Sequence, residues 1–416
     1  MTGLEEMEEM EELVIGIDLC DTYTKISCFD EEKAWTVPTV ICKKKQADEW
    51  YVGKEAYGLV LMGTGVMVDK LLSLVLKDGT ATIEGVKYSA GELLEKFLKQ
   101  VLDLPAKEYG TERIAQLTVS LSRVDGRIMD TLLKCADGLK ISRQRIHVIS
   151  HTESFVYYVM SQKKEVWAMQ VGLFDLSDEG LFYYEMKVQR GLKKMMVQAE
   201  GREMEESFNL DILENSAGAK MGDRILTSCG ERLLQKKLFS SVFLTGKGFD
   251  KLDWAENFRR FLCSKRKVYG ETDLFAKGAA YHAADFRRAK TAYPFACICE
   301  GRLKATVSMA VKQKEKEIQL VMASAGDSWY DARTSVELIA DGQDYVDLSI
   351  TPLDAKKKRT VRIPLEGFPE RPARTTRLGV TVGFLDENTM AVAIRDKGFG
   401  ELFPATGAVV RQEVQI

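Results

Sequence analysis

The chain has 416 residues, 45% hydrophobic and 29% charged, which suits two or three soluble domains that each bury a core of their own. A formal net charge of -3 supplies no field to gather nucleic acid or anionic lipid, so neither is an expected partner. No stretch approaches the roughly 18 apolar residues that cross a bilayer. The N-terminus MTGLEEMEEMEEL carries glutamates where a secretory signal carries a basic patch and an apolar run, so the expected location is cytoplasmic.

Residues 1–12 read as a solvated acidic leader. From Leu13, LVIGIDLC is an apolar run ending in a turn, YTKISCFD (from Tyr23) reads as its hairpin partner, and WTVPTVIC supplies a third strand. SAGELLEKFLKQVLDL is helical, with Ser89 as cap and Glu92 three residues on. IAQLTVSL and RIHVIS are strands with a helix after Asp125 between them. These give a mixed sheet covered by helices over 13–150.

At Ser150 the order starts again. HTESFVYYVMSQ is helical, VWAMQVGLFDL and GLFYYEMKV form a strand pair, a helix spans Gly222 to Lys236, SSVFLTG is a buried strand, and DLFAKGAAYHAADFRRA ends the half near 291. Beyond Lys290 the period changes to two. LKATVSMAV, EIQLVMA, TSVELIA, YVDLSI, TVRIPL, RLGVTVGF and TMAVAIRD alternate between Gly, Asp, Asn and Pro turns, which predicts an all-β module over 292–416. The eight cysteines show no CxxC pair and no zinc spacing with histidine, so most are expected to be buried, reduced thiols.

Two aspartates at strand–turn positions carry the functional reading. VIGIDLCDTYT resembles the first phosphate loop of actin and of the heat-shock chaperones of the DnaK type. Asp18 and Thr22 fall on that motif. LFDLSDEGL resembles the second phosphate loop, with Asp175 as the matching aspartate and Gly180 closing the turn. TVPTV and VGKEA, then Lys70 in VDKLL, then Gly246 and Gly248 in VFLTGKGFDKL, and finally DLFAKGAAYHA follow in family order. IPLEGFPERPARTTRLGVTVGFLDENTMAVAIRDKGFGE resembles the end of the chaperone's peptide-binding β-sandwich and is the most specific single signal.

The resemblance covers nearly all of 13–405. It implies an α/β actin-like ATPase domain of two ribonuclease-H-like halves, 13–150 and 151–291, followed by an all-β sandwich. It also implies a cleft for Mg-ATP or ADP in which Asp18 and Asp175 hold the waters of a magnesium ion. Lys70 falls where that family has a lysine that helps the γ-phosphate leave.

The departures fall on the chemistry. Ser177, Asp178 and Glu179 replace glycines whose bare backbone lets amides approach a triphosphate. Each carboxylate there repels phosphate by roughly 1 kcal/mol at about 4 Å in water-like surroundings, and by more in a drier cleft. Cys20 and Asp21 alter the first loop in the same sense. His151, Thr152 and Glu153 stand where the connecting helix normally opens Glu-Pro-Thr. His151 and Glu153 are then either a substitute base pair or simply polar residues starting a helix.

Only about 60 residues lie between the second loop and VFLTGKGF, leaving little cover for adenine. FRRAKTAYPFACI replaces the chaperone's acidic interdomain linker, and the chain ends soon after Phe403 with no helical lid. The expectation is a pseudo-ATPase that binds a protein or extended peptide, with weak or absent ATP binding. A divergent chaperone ATPase with reworked loops is the alternative.

Overall fold

The computed structural model describes residues 12–190, 195–293, 295–314, 316–353 and 355–416, so the acidic leader lies outside it except for Glu12. It divides into two compact units, 1–295 and 296–416. Among the described residues, no helix is long and apolar enough to cross a membrane.

In the first unit the chain opens with β1 (Leu13–Leu19), β2 (Tyr23–Cys28) and β3 (Ala34–Pro38). It continues into a small excursion of β4 (Ile41–Lys44), β5 (Trp50–Val52), α1 (Gly53–Leu61), β6 (Gly65–Val68), α2 (Leu71–Leu76), β7 (Thr80–Ile83) and β8 (Val86–Ser89). The half ends with α3 (Ala90–Tyr109), β9 (Ile114–Leu121), α4 (Gly126–Gly138) and β10 (Ile146–Ser150). Ser89 and Glu92 form a reciprocal capping box at the start of α3, and the Asp125 carboxylate caps α4.

The second half comprises α5 (His151–Ser161), β11 (Gln170–Ser177), β12 (Gly180–Arg190), β13 (Met195–Glu203), α6 (Ser216–Leu234), β14 (Phe239–Thr245), α7 (Glu256–Cys263), β15 (Lys267–Gly270) and α8 (Leu274–Arg287).

The halves repeat one plan. The first sheet runs β10-β9-β1-β2-β3, and the second contains the run β15-β14-β11-β12-β13. In each, the leading strand pairs antiparallel with its hairpin partner and parallel with the strand that returns after the excursion. The leading strands β1 and β11 therefore lie inside their sheets with neighbours on both edges. That is why LVIGIDL and QVGLFDLS read as continuous apolar runs rather than alternating ones.

The helices are exchanged between halves. α8 lies directly on β1 at Gly16, while α5 touches β13 where Thr152 meets Gly201. α5 and α8 cross at Ser154 and Gly278.

β16 (Phe295–Ile298) straddles the boundary, and the second unit then has β17 (Ala305–Gln313), β18 (Lys316–Ala323), β19 (Thr334–Ala340), β20 (Tyr345–Pro352), β21 (Arg359–Pro364), β22 (Thr376–Asp386), β23 (Thr389–Asp396) and β24 (Val409–Gln415). Two four-stranded antiparallel sheets, β18-β17-β20-β21 and β19-β22-β23-β24, share one core. Alternation puts Leu378, Val380 and Val382 of β22 and Met390, Val392 and Ile394 of β23 in that core, all of them buried. Each such side chain contributes about 1.5–3 kcal/mol by leaving water.

Candidate functional site

The site is built where the two equivalent hairpins point at each other. β1 and β2 are joined through Asp21 and Thr22, with the Cys20 amide donating to the Tyr23 carbonyl at 3.0 Å. β11 and β12 are joined through Asp178 and Glu179, with Ser177 opposite Gly180. Asp18 and Asp175 hold the same place in each half, three residues before the turn. Asp18 lies opposite Lys25 and Ser120, and Asp175 opposite Phe182 and Thr245.

Both carboxylates are buried, 2% and 3% exposed, and close enough that the charge of Asp18 acts on Asp175. Burial pushes Asp175 up to about 7; His151 opposes the rise, and the charge of Asp18 adds to it.

The hairpin tips touch. The Glu179 carboxylate accepts from the Thr22 hydroxyl at 2.8 Å and from the Thr22 amide at 3.2 Å, so equivalent positions of the two turns are tied together. Thr22 is a residue that falls on the phosphate-loop motif, and a carboxylate oxygen meets both of these donors. Asp178 turns outward to Lys247 at 3.2 Å. Asp21 also faces away from the cleft, accepting the Leu72 and Ser73 amides at 2.8 and 3.1 Å at the start of α2. Its charge is therefore spent on a helix end, a role not read from sequence.

His151 and Glu153 part company. The hydroxyl of Ser150 caps α5 by accepting the Glu153 amide at 3.1 Å. The imidazole of His151 reaches back to Asp18, with Nε2 2.7 Å from Oδ1, and stacks on Phe275 of α8 at 3.9 Å. His151 is thus more than a polar helix start. Glu153 instead approaches His282, with Oε1 3.9 Å from Nε2, in the packing of α5 against α8.

Lys70 is exposed and enters α2 with a left-handed φ of 51°. Gly246 has φ 90°, and a Cβ there would lie 2.4 Å from the Leu176 carbonyl oxygen and 2.5 Å from Asp175 Oδ1. Its glycine serves the close approach of this turn to β11. Gly248 similarly leaves room for the Leu176 side chain, and Gly180 closes its hairpin.

Cys20, unassigned by the sequence reading, completes the floor of the cleft. Its Sγ is 3.6 Å from Asp18 Oδ1. Burial, then the charges of Asp18 and Glu179, raise the thiol well above its ordinary range, with the Tyr23 hydroxyl opposing.

This floor does not fit the magnesium nucleotide that the resemblance implies. Magnesium takes oxygen ligands and retains water, whereas Asp18 faces an imidazole nitrogen and a sulfur. The loop donors at Thr22 are also met by Glu179.

Asp175 carries a testable cost. An unfolded aspartate titrates near 3.9. In the folded chain Asp175 holds its proton up to about 7, so its contribution is full below the unfolded value and is lost as pH rises through the folded one. In chelator-containing buffer, Asp175→Asn should raise the melting temperature at neutral and alkaline pH, and the two curves should converge in acid. A variant less stable than wild type at every pH would refute this assignment.

Residues 302–416 match a domain described as "Domain of unknown function (DUF8552)". No curated protein matches the chain. Residues 22–300, well over half the sequence, match the family described as "Family of unknown function (DUF5716) C-terminal", and the chain belongs to that family.

Proposed function

We propose that this chain is a degenerate relative of the DnaK-type chaperones, a cytoplasmic pseudo-ATPase that acts as a protein-binding or scaffold protein. Residues 13–291 would be its actin-like α/β domain of two ribonuclease-H-like halves. Residues 292–416 would be a β-sandwich able to hold an extended peptide. The observation that carries the reading is the Glu179–Thr22 contact: a carboxylate meets the loop donors that a phosphate would need. A triphosphate entering the cleft would have to break both bonds and lie beside the displaced charge.

Calorimetric titration of the full-length protein with magnesium-ATP should give no measurable binding, and millimolar nucleotide should leave the melting temperature unchanged. Replacing Ser177, Asp178 and Glu179 together by glycine should raise affinity by about tenfold or more, the equivalent of about 1.4 kcal/mol. No gain in that variant would remove Glu179 as the block. Wild-type binding in the low micromolar range, with turnover abolished by Asp175→Asn, would favour the alternative of a divergent chaperone ATPase.

A further inference from the structure

We propose that Asp18, Cys20 and His151, with Asp175 as the fourth donor, form a site for a divalent transition metal of the zinc type that staples the two halves of the first unit together. The inference does not depend on the pseudo-ATPase reading, because it concerns the floor of the cleft rather than the loop tips.

One ligand atom from each of Asp18, Cys20 and His151 lies within 4.8 Å of the others, and all three residues are buried. A tetrahedral zinc with Zn–S of about 2.3 Å and Zn–O of about 2.0–2.2 Å sets the sulfur and oxygen roughly 3.5 Å apart. Cys20 Sγ and Asp18 Oδ1 are 3.6 Å apart. His151 Nε2 is 2.7 Å from the same oxygen, a hydrogen-bond distance that must open by several tenths of an ångström when an ion enters.

A second, independent observation concerns Asp175. Among the described residues its Oδ1 is buried and meets no hydrogen-bond donor, and its residue is only 3% exposed. A buried carboxylate oxygen is not ordinarily left unpaired. Asp175 occupies in β11 the place Asp18 occupies in β1, and the fields of Asp18 and His151 both reach it. Its Oδ1 faces the Gly246 turn, outside the group of three, so it would join an entering ion by turning toward Asp18.

The donor types select the ion. One thiolate, one imidazole and two carboxylates suit zinc or cobalt and are foreign to magnesium and calcium. Four protein donors close the coordination sphere, which makes the site structural rather than catalytic. On binding, the Cys20 thiol releases its proton to solvent and the sulfur forms the metal bond; no oxidant or reductant takes part. The ion would link β1 and its turn to the start of α5 and to β11, tying the halves at their base as Glu179 ties them at the tips.

The test uses the full chain, stripped with chelator and titrated with cobalt(II) and zinc(II) chlorides. The expected result is one cobalt per chain retained through desalting, visible bands of tetrahedral cobalt, a near-ultraviolet thiolate-to-cobalt band, loss of both on adding zinc, and a higher melting temperature. Cys20→Ser should abolish the thiolate band and weaken binding at least tenfold. Asp175→Asn should weaken binding and keep the band. Cys263→Ser, which removes the exposed thiol, should change nothing. The wild-type and Cys263→Ser spectra decide the case even if Cys20→Ser fails to fold. Absence of retained metal in wild type, an undiminished thiolate band in folded Cys20→Ser, or loss of the band in Cys263→Ser would overturn the proposal.

Discussion

Replacing Gly16 by valine should leave the first unit unable to fold, and even Gly16→Ala should cost about 4 kcal/mol or more, at the far end of what single substitutions do. Gly16 sits mid-strand in β1, where α8 lies across it. A Cβ there would fall 2.1 Å from the carbonyl oxygen of Ala276 and 2.2 Å from the amide nitrogen of Ala280. Both are helix backbone atoms, already committed to the helix ladder, so neither can rotate away as a side chain would. The helix must lift off the strand, and the packing between them opens along its length.

Gly278 is the matching position on the other face of α8, where a Cβ would lie 2.0 Å from the Ser154 carbonyl oxygen of α5. Gly278→Ala should be comparably damaging. Gly58, half-buried in α1 with none of the described residues within 4 Å of its Cβ direction, supplies the control: Gly58→Ala should stabilise by about 0.5–1 kcal/mol. Urea unfolding of the full-length variants measures all three. A Gly16→Ala protein as stable as wild type would show that α8 does not rest directly on β1.

What the sequence makes legible is whatever depends on near neighbours. The turn between β1 and β2 is signalled by Asp21 and Thr22 after an apolar run, and Ser89 and Glu92 announce the start of α3 because capping is completed within one helical turn. The faces of β22 and β23 follow from period-two alternation. The chemistry of the cleft is not local. Thr22 and Glu179 meet across 157 residues, and Asp18 and His151 across 133. Asp21 looks like a phosphate-loop substitution until the chain brings α2 to it, 51 residues on. His151 is indistinguishable in sequence from any polar residue opening a helix, because its ring direction depends on Phe275 of α8. Cys20 has no signal as a ligand, since its partners Asp18 and His151 lie on two separate elements rather than in a spacing motif.

Arg371→Met should destabilise the second unit by about 3–5 kcal/mol, the cost of stranding a buried charge. Asp396 ends β23 inside RDKGFGE, the stretch that reads as a family signature, and its work there is to tie down a loop. Its two oxygens accept from Arg371 at 3.0 and 2.9 Å, from the Gly398 amide at 2.9 Å, and from the Thr406 amide and hydroxyl at 2.9 and 2.8 Å. Arg371 also donates to the Pro404 carbonyl at 2.7 Å, so one buried pair holds both sides of the loop that leads into β24.

Burial alone would raise the Asp396 carboxyl, but the Arg371 bonds and then those from Gly398 and Thr406 outweigh it and hold the group well below the usual carboxylate range. A depressed folded value means that this contribution is full above the unfolded pKa of about 3.9 and is lost as acid approaches the folded one. Asp396→Asn should therefore remove part of the acid sensitivity of the second unit while lowering its stability at neutral pH. The double variant Arg371→Met with Asp396→Leu should recover much of the loss, because it removes both charges and leaves neither buried alone. Hydrogen exchange over β22–β24 in the full-length chain reads each case. Unchanged protection in Arg371→Met, or a double variant no better than the single, would show that the pair does not hold this end of the sheet.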